Sequence, residues 1–232
     1  MIDFHSHILP GIDDGADTPE TAYEMLCMSA QQGVKKIVAT PHYYPAEESP
    51  EAFLRRREEA VNKLKVYVLQ RREHGDKREV PSVYLGAEVY YFPTLGTCES
   101  LRRLAFGHDH FLLVEPPMSS WTESMFDEIA LAEKNFGVVP VIAHVDRYAR
   151  LLKDNSLFEE VDSRGFLVQV NASFFTRRET QTFAFELLSD GMIHMLGSDA
   201  HDLEYRKPNL ADAVTAISRR GLGSCLDHLI AL

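Results

Sequence analysis

Two short segments of the sequence carry closely spaced side chains that can bind metal ions. His5 and His7 form a His-x-His pair near the start of the chain, and a Gly-Ser-Asp-Ala-His segment carries Asp199 and His201. In an extended segment, residues i and i+2 point the same way, so both histidines of the pair can reach one ion while Ser6 points elsewhere. The pair alone is a weak signal, but both segments at strand ends predict a metal site.

Further histidine and carboxylate side chains stand at the ends of other apolar runs. They are His42, Glu88, Glu115 and His144. A lone histidine beside an apolar run is more often a packed or surface residue, but such donors end six of seven runs, which favours one shared site. Imidazole and carboxylate donors without paired thiols suit Zn²⁺, Mn²⁺ or Fe²⁺. Two such ions about 3.5–4 Å apart promote in-line attack on phosphorus.

Short apolar runs must position these side chains. The predicted strands are residues 2–5, 36–40, 83–89, 111–115, 138–145, 166–171 and 193–197. Several are continuously apolar, as in parallel strands covered on both faces. Helical patterns separate them, so the sequence predicts an α/β fold, a single-domain distorted (β/α)7 barrel over residues 1–232. The chemistry of such barrels lies at the C-terminal ends of the strands.

Helical periodicity predicts the connecting helices. Thr18 followed by Pro19 is typical of a helix N-cap and first turn, and Gly33 marks the end of that helix. The other predicted helices are residues 50–74, 120–135, 156–163, 179–190 and 209–219.

Composition restricts the class of protein. The chain has 232 residues, of which 45% are hydrophobic and 25% charged, as in a soluble globular protein. Its formal net charge of −11 disfavours nucleic-acid binding, which needs a basic footprint. No apolar run is long enough to span a bilayer. A homo-oligomer is compatible with the sequence, which leaves the oligomeric state open.

The cysteines indicate a reducing, cytoplasmic location. Cys27, Cys98 and Cys225 are far apart and form no Cys-x-x-Cys pair. None is followed by arginine at the Cys-x5-Arg spacing, so a thiolate mechanism is unsupported and metal-assisted hydrolysis is favoured.

Five segments resemble, in order, the PHP (polymerase and histidinol phosphatase) superfamily. More narrowly, they resemble the bacterial CpsB/CapC-like tyrosine-protein phosphatases encoded with capsule and exopolysaccharide genes. The segments are residues 3–16, 39–42, 86–91, 143–148 and 197–201, and the resemblance covers nearly the whole chain. Ser6 departs from the pattern, where many relatives have cysteine; we expect little effect because this position should face away from the ions.

The resemblance implies a site for two or three divalent ions, Mn, Fe or Zn, with Mn favoured. The first ion would take His5, His7, Glu88 and Asp199, the second Glu88, Glu115 and His144, and the third Asp14, His42 and His201. Asp13 remains an alternative to Asp14. Arg147 and Arg206 match the phosphate-binding arginines of the family, although the charge run around Arg206 is also typical of solvated surface. Asp199 or His201 would assist the chemistry, with the general acid unassigned.

The implied function is hydrolysis of a phosphomonoester by a metal-dependent protein-tyrosine phosphatase. The implied partner is a phosphotyrosine protein, the tyrosine-rich tail of a bacterial autokinase that controls polysaccharide chain length. One alternative is a small-molecule phosphatase, such as one acting on histidinol phosphate. Another is a non-catalytic PHP metal-binding module, which would be marked by lost ligands. Five aromatic residues follow the ligand strands and either line a phenyl-ring pocket or pack at the rim, namely Tyr43, Tyr44, Tyr90, Tyr91 and Phe92.

Overall fold

The computed structural model describes residues 1–119, 121–152 and 156–231, with the side chains of residues 150–152 excluded. Its strands are β1 Ile2–Ser6, β2 Lys36–Ala39, β3 His42–Tyr43, β4 Ser82–Leu85, β5 Glu88–Tyr90, β6 Phe111–Glu115, β7 Val139–Ile142, β8 Leu167–Asn171 and β9 Met195–Gly197. Its α-helices are α1 Pro19–Gln31, α2 Pro50–Glu73, α3 Leu101–Leu104, α4 Glu123–Phe136, α5 Val145–Leu152, α6 Ser156–Ser163, α7 Gln181–Ser189 and α8 Leu210–Arg219. Short 3-10 turns occupy Leu95–Thr97, Ala172–Phe175 and Gly223–His228.

All strand pairings between these elements are parallel, in the orders β1-β2-β4 and β3-β5-β6-β7-β8-β9. A bridge between Ser6 and Ala200 joins β1 to the end of β9. Helices connect most successive strands, as parallel pairing requires. The arrangement is a curled parallel sheet with helices outside, so the predicted distorted α/β barrel is confirmed.

One of the seven predicted strands, over residues 83–89, is interrupted, and a short strand, β3, follows the predicted strand over residues 36–40. Residue pairing between β2 and β4 ends at Ala39 and Leu85. Pairing begins again between β3 and β5 at His42 and Glu88, and the register between the two chain segments is unchanged. The amide of Glu88 donates to the carbonyl of Pro41 at 3.0 Å, so the ladder continues across the gap. Proline has no amide hydrogen and weakens the ladder there. The prediction of one unbroken strand over residues 83–89 was therefore wrong.

Strand β1 contains an irregularity between Asp3 and Ser6, next to the His5 and His7 pair. Asp3 pairs with Ile37 and Ser6 with Ala39, so three steps along β1 correspond to two steps along β2. An extra residue of this kind bends a strand and re-aims the side chains beside it. Despite this irregularity, His5 and His7 point the same way, as expected, with 3.2 Å between their Nε2 atoms, whereas the Ser6 hydroxyl donates to the Val38 carbonyl.

The predicted helix starts are confirmed at two caps. The side chain of Thr18 accepts from the amide of Thr21, and that of Ser49 accepts from the amide of Ala52, with proline following each cap. Helix α4 begins at Glu123, and its predicted start at residue 120 lies outside the described residues.

The predicted strand over residues 138–145 was wrong beyond Ile142. The chain turns directly into helix α5 at Val145, because His144 adopts a left-handed backbone conformation with φ of 33°. A left-handed conformation at a single residue turns the chain, and hydrophobic periodicity does not predict it.

Apolar side chains cover both faces of the sheet, as the continuous apolar runs predicted. Leu112 and Val114 belong to the large cluster shared with the helices, whereas Phe111 and Leu113 belong to a second cluster. The second cluster draws on β1, β2, β6, β7 and β9, so it fills the space that the curled sheet encloses. The polar site lies beyond it, at the C-terminal ends of the strands. None of the described helices has the length and apolar character needed to cross a membrane.

Candidate metal centre

The structure brings all nine predicted metal-ligand residues together at one end of the barrel. Three groups have donor atoms within 4.8 Å of one another: His7, Asp14, His42 and His201; His5, His7 and Asp199; and His42, Glu88 and Glu115. His144 joins the last group, since its Nε2 lies 2.8 Å from Glu88 Oε1 and 3.5 Å from Glu115 Oε1. The groups share members, so they form one continuous centre.

Glu88 stands in the middle of this centre. Its Oε2 lies 3.1 Å from His5 Nε2, 3.2 Å from His7 Nε2 and 3.1 Å from His42 Nδ1. Burial alone would raise the pKa of Glu88, but the surrounding imidazoles, with His5 first, hold that pKa well below its usual range. A carboxylate with donors on both oxygens is suited to bridging two ions.

Asp199 connects the histidines to both predicted arginines. Its Oδ1 lies 3.8 Å from His5 Nε2 and 3.7 Å from His7 Nε2. Arg147 Nη2 donates to Oδ2 at 2.5 Å, and Arg206 Nη2 donates to Oδ1 at 2.9 Å. Burial opposes the effect, but the neighbouring histidines lower the pKa of Asp199 below its usual range. The two guanidinium groups are thus held at the edge of the centre.

Asp13 and Asp14 occupy different positions around the centre. Asp14 Oδ1 lies 3.5 Å from His42 Nε2 and 3.4 Å from His201 Nε2, so it faces the donor cluster. Asp13 lies behind it, where Oδ2 accepts from His7 Nδ1 at 2.8 Å and from the His42 amide at 3.0 Å. Although burial would raise the pKa of Asp13, the hydrogen bond from His7 lowers it to about 2. This geometry favours Asp14 as the donor and Asp13 as the residue that orients His7.

Gln169 is a site residue that the sequence reading missed. Its Oε1 accepts from the backbone amide of His144 at 2.7 Å and faces His5 Nδ1 at 3.2 Å. A backbone amide always donates, so the atom facing both groups is the oxygen and His5 Nδ1 carries the proton. That tautomer leaves His5 Nε2 free for the centre. The available signal was a polar residue inside the apolar run of residues 166–171.

Two donor residues have strained backbones. His144 has φ of 33° and Asp199 has φ of 54°, a region that residues with a Cβ rarely adopt. Such strain costs about 1–3 kcal/mol per residue and is often found where side chains must be aimed at a site. Each of the two residues ends a barrel strand and turns its side chain into the centre.

Two glycines allow the histidine pair to lie close to neighbouring backbone. A Cβ on Gly15 would lie 2.1 Å from the His7 carbonyl oxygen, and a Cβ on Gly197 would lie 2.4 Å from the His5 Cβ. Neither distance is sterically allowed, so only glycine fits at these positions.

The donor set fits divalent cations. His42 Nδ1 and His201 Nε2 are buried, with carboxylate oxygens 3.1 Å and 3.4 Å away, but neither makes a well-aligned hydrogen bond among the described residues. This is costly unless another partner binds them. Burial opposes a positive charge on His7 and His144, yet hydrogen bonds from His7 to the carboxylates of Asp13 and Glu88 raise its pKa to about 10. Glu115 and Glu88 likewise raise that of His144 to about 9. The environment therefore stabilises positive charge, and a bound cation would take the place of these protons.

The aromatic residues after the ligand strands divide into two sets. The Tyr44 ring lies 5.1 Å from the His42 ring and 5.8 Å from the Tyr90 ring, at the edge of the centre. Tyr43 is buried against Phe53, so it does not face the metal centre. Tyr91 and Phe92 also pack against the hydrophobic core rather than at the centre.

Fold and site together define a parallel barrel protein with a histidine and carboxylate metal centre at its strand ends. The family model for capsular polysaccharide synthesis proteins, CpsB/CapC, matches residues 1–231. The chain therefore belongs to the CpsB/CapC family.

Named relatives and solved structures agree with this assignment. The tyrosine-protein phosphatase CpsB of Streptococcus agalactiae is 29% identical over 233 residues, covering 94% of this chain and 90% of the relative. A crystal structure from work on YwqE of Bacillus subtilis and CpsB of Streptococcus pneumoniae, described as unique metal-dependent tyrosine phosphatases, superposes with a TM-score of 0.80. It is 24% identical and covers 97% of this chain and 89% of that chain.

A more distant structure shares the fold. Histidinol phosphate phosphatase from Lactococcus lactis, solved with zinc, L-histidinol and phosphate, superposes with a TM-score of 0.54 at 19% identity. The match covers 96% of this chain and 92% of that chain. At this identity the likeness concerns the fold alone.

Proposed function

We propose that this protein is a metal-dependent phosphatase that hydrolyses phosphotyrosine on proteins. One observation carries the proposal: a buried carboxylate, Glu88, among four imidazoles stands beside two arginines that converge on Asp199. Cationic donors for a phosphoryl group and ligands for activating ions therefore meet at one site. The tyrosine phosphatase activity named for its relatives supports the same reading.

We assign the metal ligands as three sets, of which the first two share Glu88. The first ion would be held by His5, His7, Glu88 and Asp199, the second by Glu88, Glu115 and His144, and the third by Asp14, His42 and His201. The short distances from Glu88 to His5, His7 and His144 support the first two sets, and those from Asp14 to His42 and His201 support the third. When bound, the ions would supply Lewis-acid charge and activate water for hydrolysis. Manganese is the proposed metal, with Fe and Zn compatible with the same donors.

Arg147 and Arg206 would bind the phosphoryl oxygens. A guanidinium group presents parallel N–H donors and stays charged at any working pH, so it suits an anion whose charge grows in the transition state. Asp199 accepts from both arginines and thereby fixes their orientation before substrate binds. His201 lies near the same carboxylate, with 3.6 Å between its Nδ1 and Asp199 Oδ1. We assign Asp199 and His201 to the catalytic group on this proximity.

The phenyl ring of the substrate would contact Tyr44, whose ring lies next to His42, and Tyr90, whose ring lies next to that of Tyr44. Tyrosine has a pKa of about 10, so the phenolate that leaves needs less protonation than an alkoxide. The proposed partner is the tyrosine-rich tail of a bacterial autokinase that controls polysaccharide chain length, in keeping with the role of the family in capsule synthesis.

The experiment that tests this function compares variants on matched substrates with metals supplied. His42→Ala and His201→Ala should reduce kcat/KM on a phosphotyrosine peptide by at least about 10²-fold, because each removes a metal ligand. His108→Ala is the control, since His108 is exposed and precedes β6, whereas the donor Glu115 is the last residue of that strand. Near-full activity in both ligand variants would contradict the site assignment.

The substrate class is tested on the wild-type protein. Rates on phosphotyrosine peptide and on histidinol phosphate are measured side by side with the same metal. A higher kcat/KM for the peptide is expected, whereas a clear preference for histidinol phosphate would replace the proposed function with a small-molecule phosphatase.

A further inference from the structure

A second cavity of about 390 Å³ adjoins the metal centre on the side of the two arginines. Its wall includes Arg147, Asp199 and Arg206, which belong to the site described above, and adds Arg177 and Lys207. Four cationic side chains thus face one cavity in a chain with a formal net charge of −11. The local charge is opposite to that of the whole molecule, so the cavity can attract an anion.

Two of these cations are not used by the phosphoryl site. Arg147 and Arg206 donate to Asp199, whereas no carboxylate in the described part of the chain forms an ion pair with Arg177 or Lys207. The other carboxylate in the wall, that of Asp146, is nearly buried, and its Oδ1 accepts from the amide of Asn171 at 3.0 Å. The charge of Arg177 and Lys207 is therefore available to a ligand.

Another cavity at the centre has the reverse charge. Its volume is about 500 Å³, and it is lined by acidic residues, namely Asp13, Asp14, Glu47 and Glu48. Its one arginine, Arg56, donates to the Glu48 carboxylate and to the Ile12 carbonyl, so its charge is already paired. A peptide lying across the centre would meet an acidic wall on one side and a basic wall on the other.

We propose that Arg177 and Lys207 bind a second anionic group of the substrate peptide, either a carboxylate or a phosphoryl group, beside the phosphotyrosine. The inference rests on the proposed function. A phosphoryl group on Arg147 and Arg206 fills only a small part of the cavity, so space remains for a neighbouring side chain. Because all four cations face the same cavity, both anions would belong to one peptide. Acidic or multiply phosphorylated tyrosine segments are therefore the preferred substrates.

The experiment uses three peptides of equal length that carry one phosphotyrosine flanked by Gln, one flanked by Glu, or two phosphotyrosines. Wild-type kcat/KM should be about tenfold higher for the two anionic peptides, the ratio that corresponds to 1.4 kcal/mol. The double variant Arg177→Gln, Lys207→Met should lose this preference but keep its rate on p-nitrophenyl phosphate, which is too small to reach both groups. Arg178→Gln is the matched control, because Arg178 is exposed and outside the cavity wall.

The outcomes separate the two anion sources. A preference for both anionic peptides identifies a site for either anion, and a preference for the doubly phosphorylated peptide alone identifies a phosphoryl site. Equal kcat/KM on all three peptides, or a preference that survives in the double variant, would overturn the inference. Hydrolysis of none of the phosphotyrosine peptides would instead contradict the proposed function. Fluorescence anisotropy of labelled peptides then still tests the cavity, since the double variant should bind the anionic peptides no better than the neutral one.

Discussion

Gln169 shows how one neutral side chain can organise two imidazoles. It is fully buried, and its single carbonyl oxygen accepts from the amide of His144 and faces the Nδ1 of His5. These two contacts fix the tautomer of His5 and stabilise the strained turn that carries His144. Its amide nitrogen donates to Asn171 Oδ1 at 3.2 Å, and Asn171 in turn donates to Asp199. Gln169 therefore acts as a positioning residue for donors on three strand ends.

Replacing this amide should weaken metal binding rather than remove it. In Gln169→Met the volume is similar, but the His144 amide and the His5 Nδ1 lose their acceptor. Metal affinity measured by competition with a chelator should fall by roughly 10–100-fold. Gln169→Glu keeps an acceptor oxygen at the same place and is the matched comparison. If the Met variant held its metal as tightly as wild type, the positioning role would be wrong.

A histidine outside the site forms hydrogen bonds that join two strands of the barrel, β8 and β9. His194 lies just before β9, and its Nδ1 accepts from the amide of Val168 in β8 at 3.1 Å, while its own amide donates to the Val168 carbonyl at 3.0 Å. Burial lowers the pKa of His194, although Asp162 opposes the shift. The neutral imidazole is thus the form that stabilises the β8–β9 pair.

This contact predicts a loss of stability in acid. Below a pH of about 6.5, the unfolded chain takes up a proton at this histidine more readily than the folded one, so its contribution to the free energy of unfolding falls as the pH falls. In His194→Gln the amide oxygen can still accept from Val168 but does not titrate. The change in unfolding free energy between about pH 7.5 and about pH 5.5 should therefore be smaller in this variant than in wild type. An unchanged pH dependence would contradict the role, and His108→Gln, at an exposed position, should behave like wild type.

At the scale of the whole molecule, the metal centre connects distant parts of the barrel. Its donors come from β1, from the strand ends at His42, Glu88, Glu115 and His144, and from the segment after β9. An ion that binds these donors only in the folded protein shifts the folding equilibrium toward the folded state by mass action. Ion binding should therefore increase the free energy of unfolding of the whole chain.

Removal of metal should lower the melting temperature of the wild-type protein. At a free ion concentration about 100 times Kd, the stabilisation is about 2.7 kcal/mol, which corresponds to roughly 5–10 °C for a chain of this size. Thermal unfolding is followed after chelation and after addition of Mn²⁺, Zn²⁺ or Fe²⁺, and His42→Ala should show a smaller shift. The absence of any shift with all three ions would argue against the proposed centre.

Much of the barrel could be predicted because its signals are local. The apolar runs predicted the positions of most strands, and Thr18 and Ser49 each precede a proline at a helix start. The errors lie where backbone geometry overrides periodicity. The break after Leu85 and the turn at His144 depend on pairing with neighbouring strands and on one left-handed residue.

The sequence by itself determined the donor chemistry, because residue types and their positions at strand ends are local properties. It identified the histidines, carboxylates and arginines that now lie at one end of the barrel. Only the tertiary structure decided how they are used, because distances between strands are set by the folded sheet. It set Asp14 toward the donors and Asp13 behind His7, buried Tyr43 while leaving Tyr44 at the centre, and brought Gln169 beneath His5. It also explains why Gly15 and Gly197 must be glycine, since the atoms they would otherwise meet belong to distant or folded-back segments.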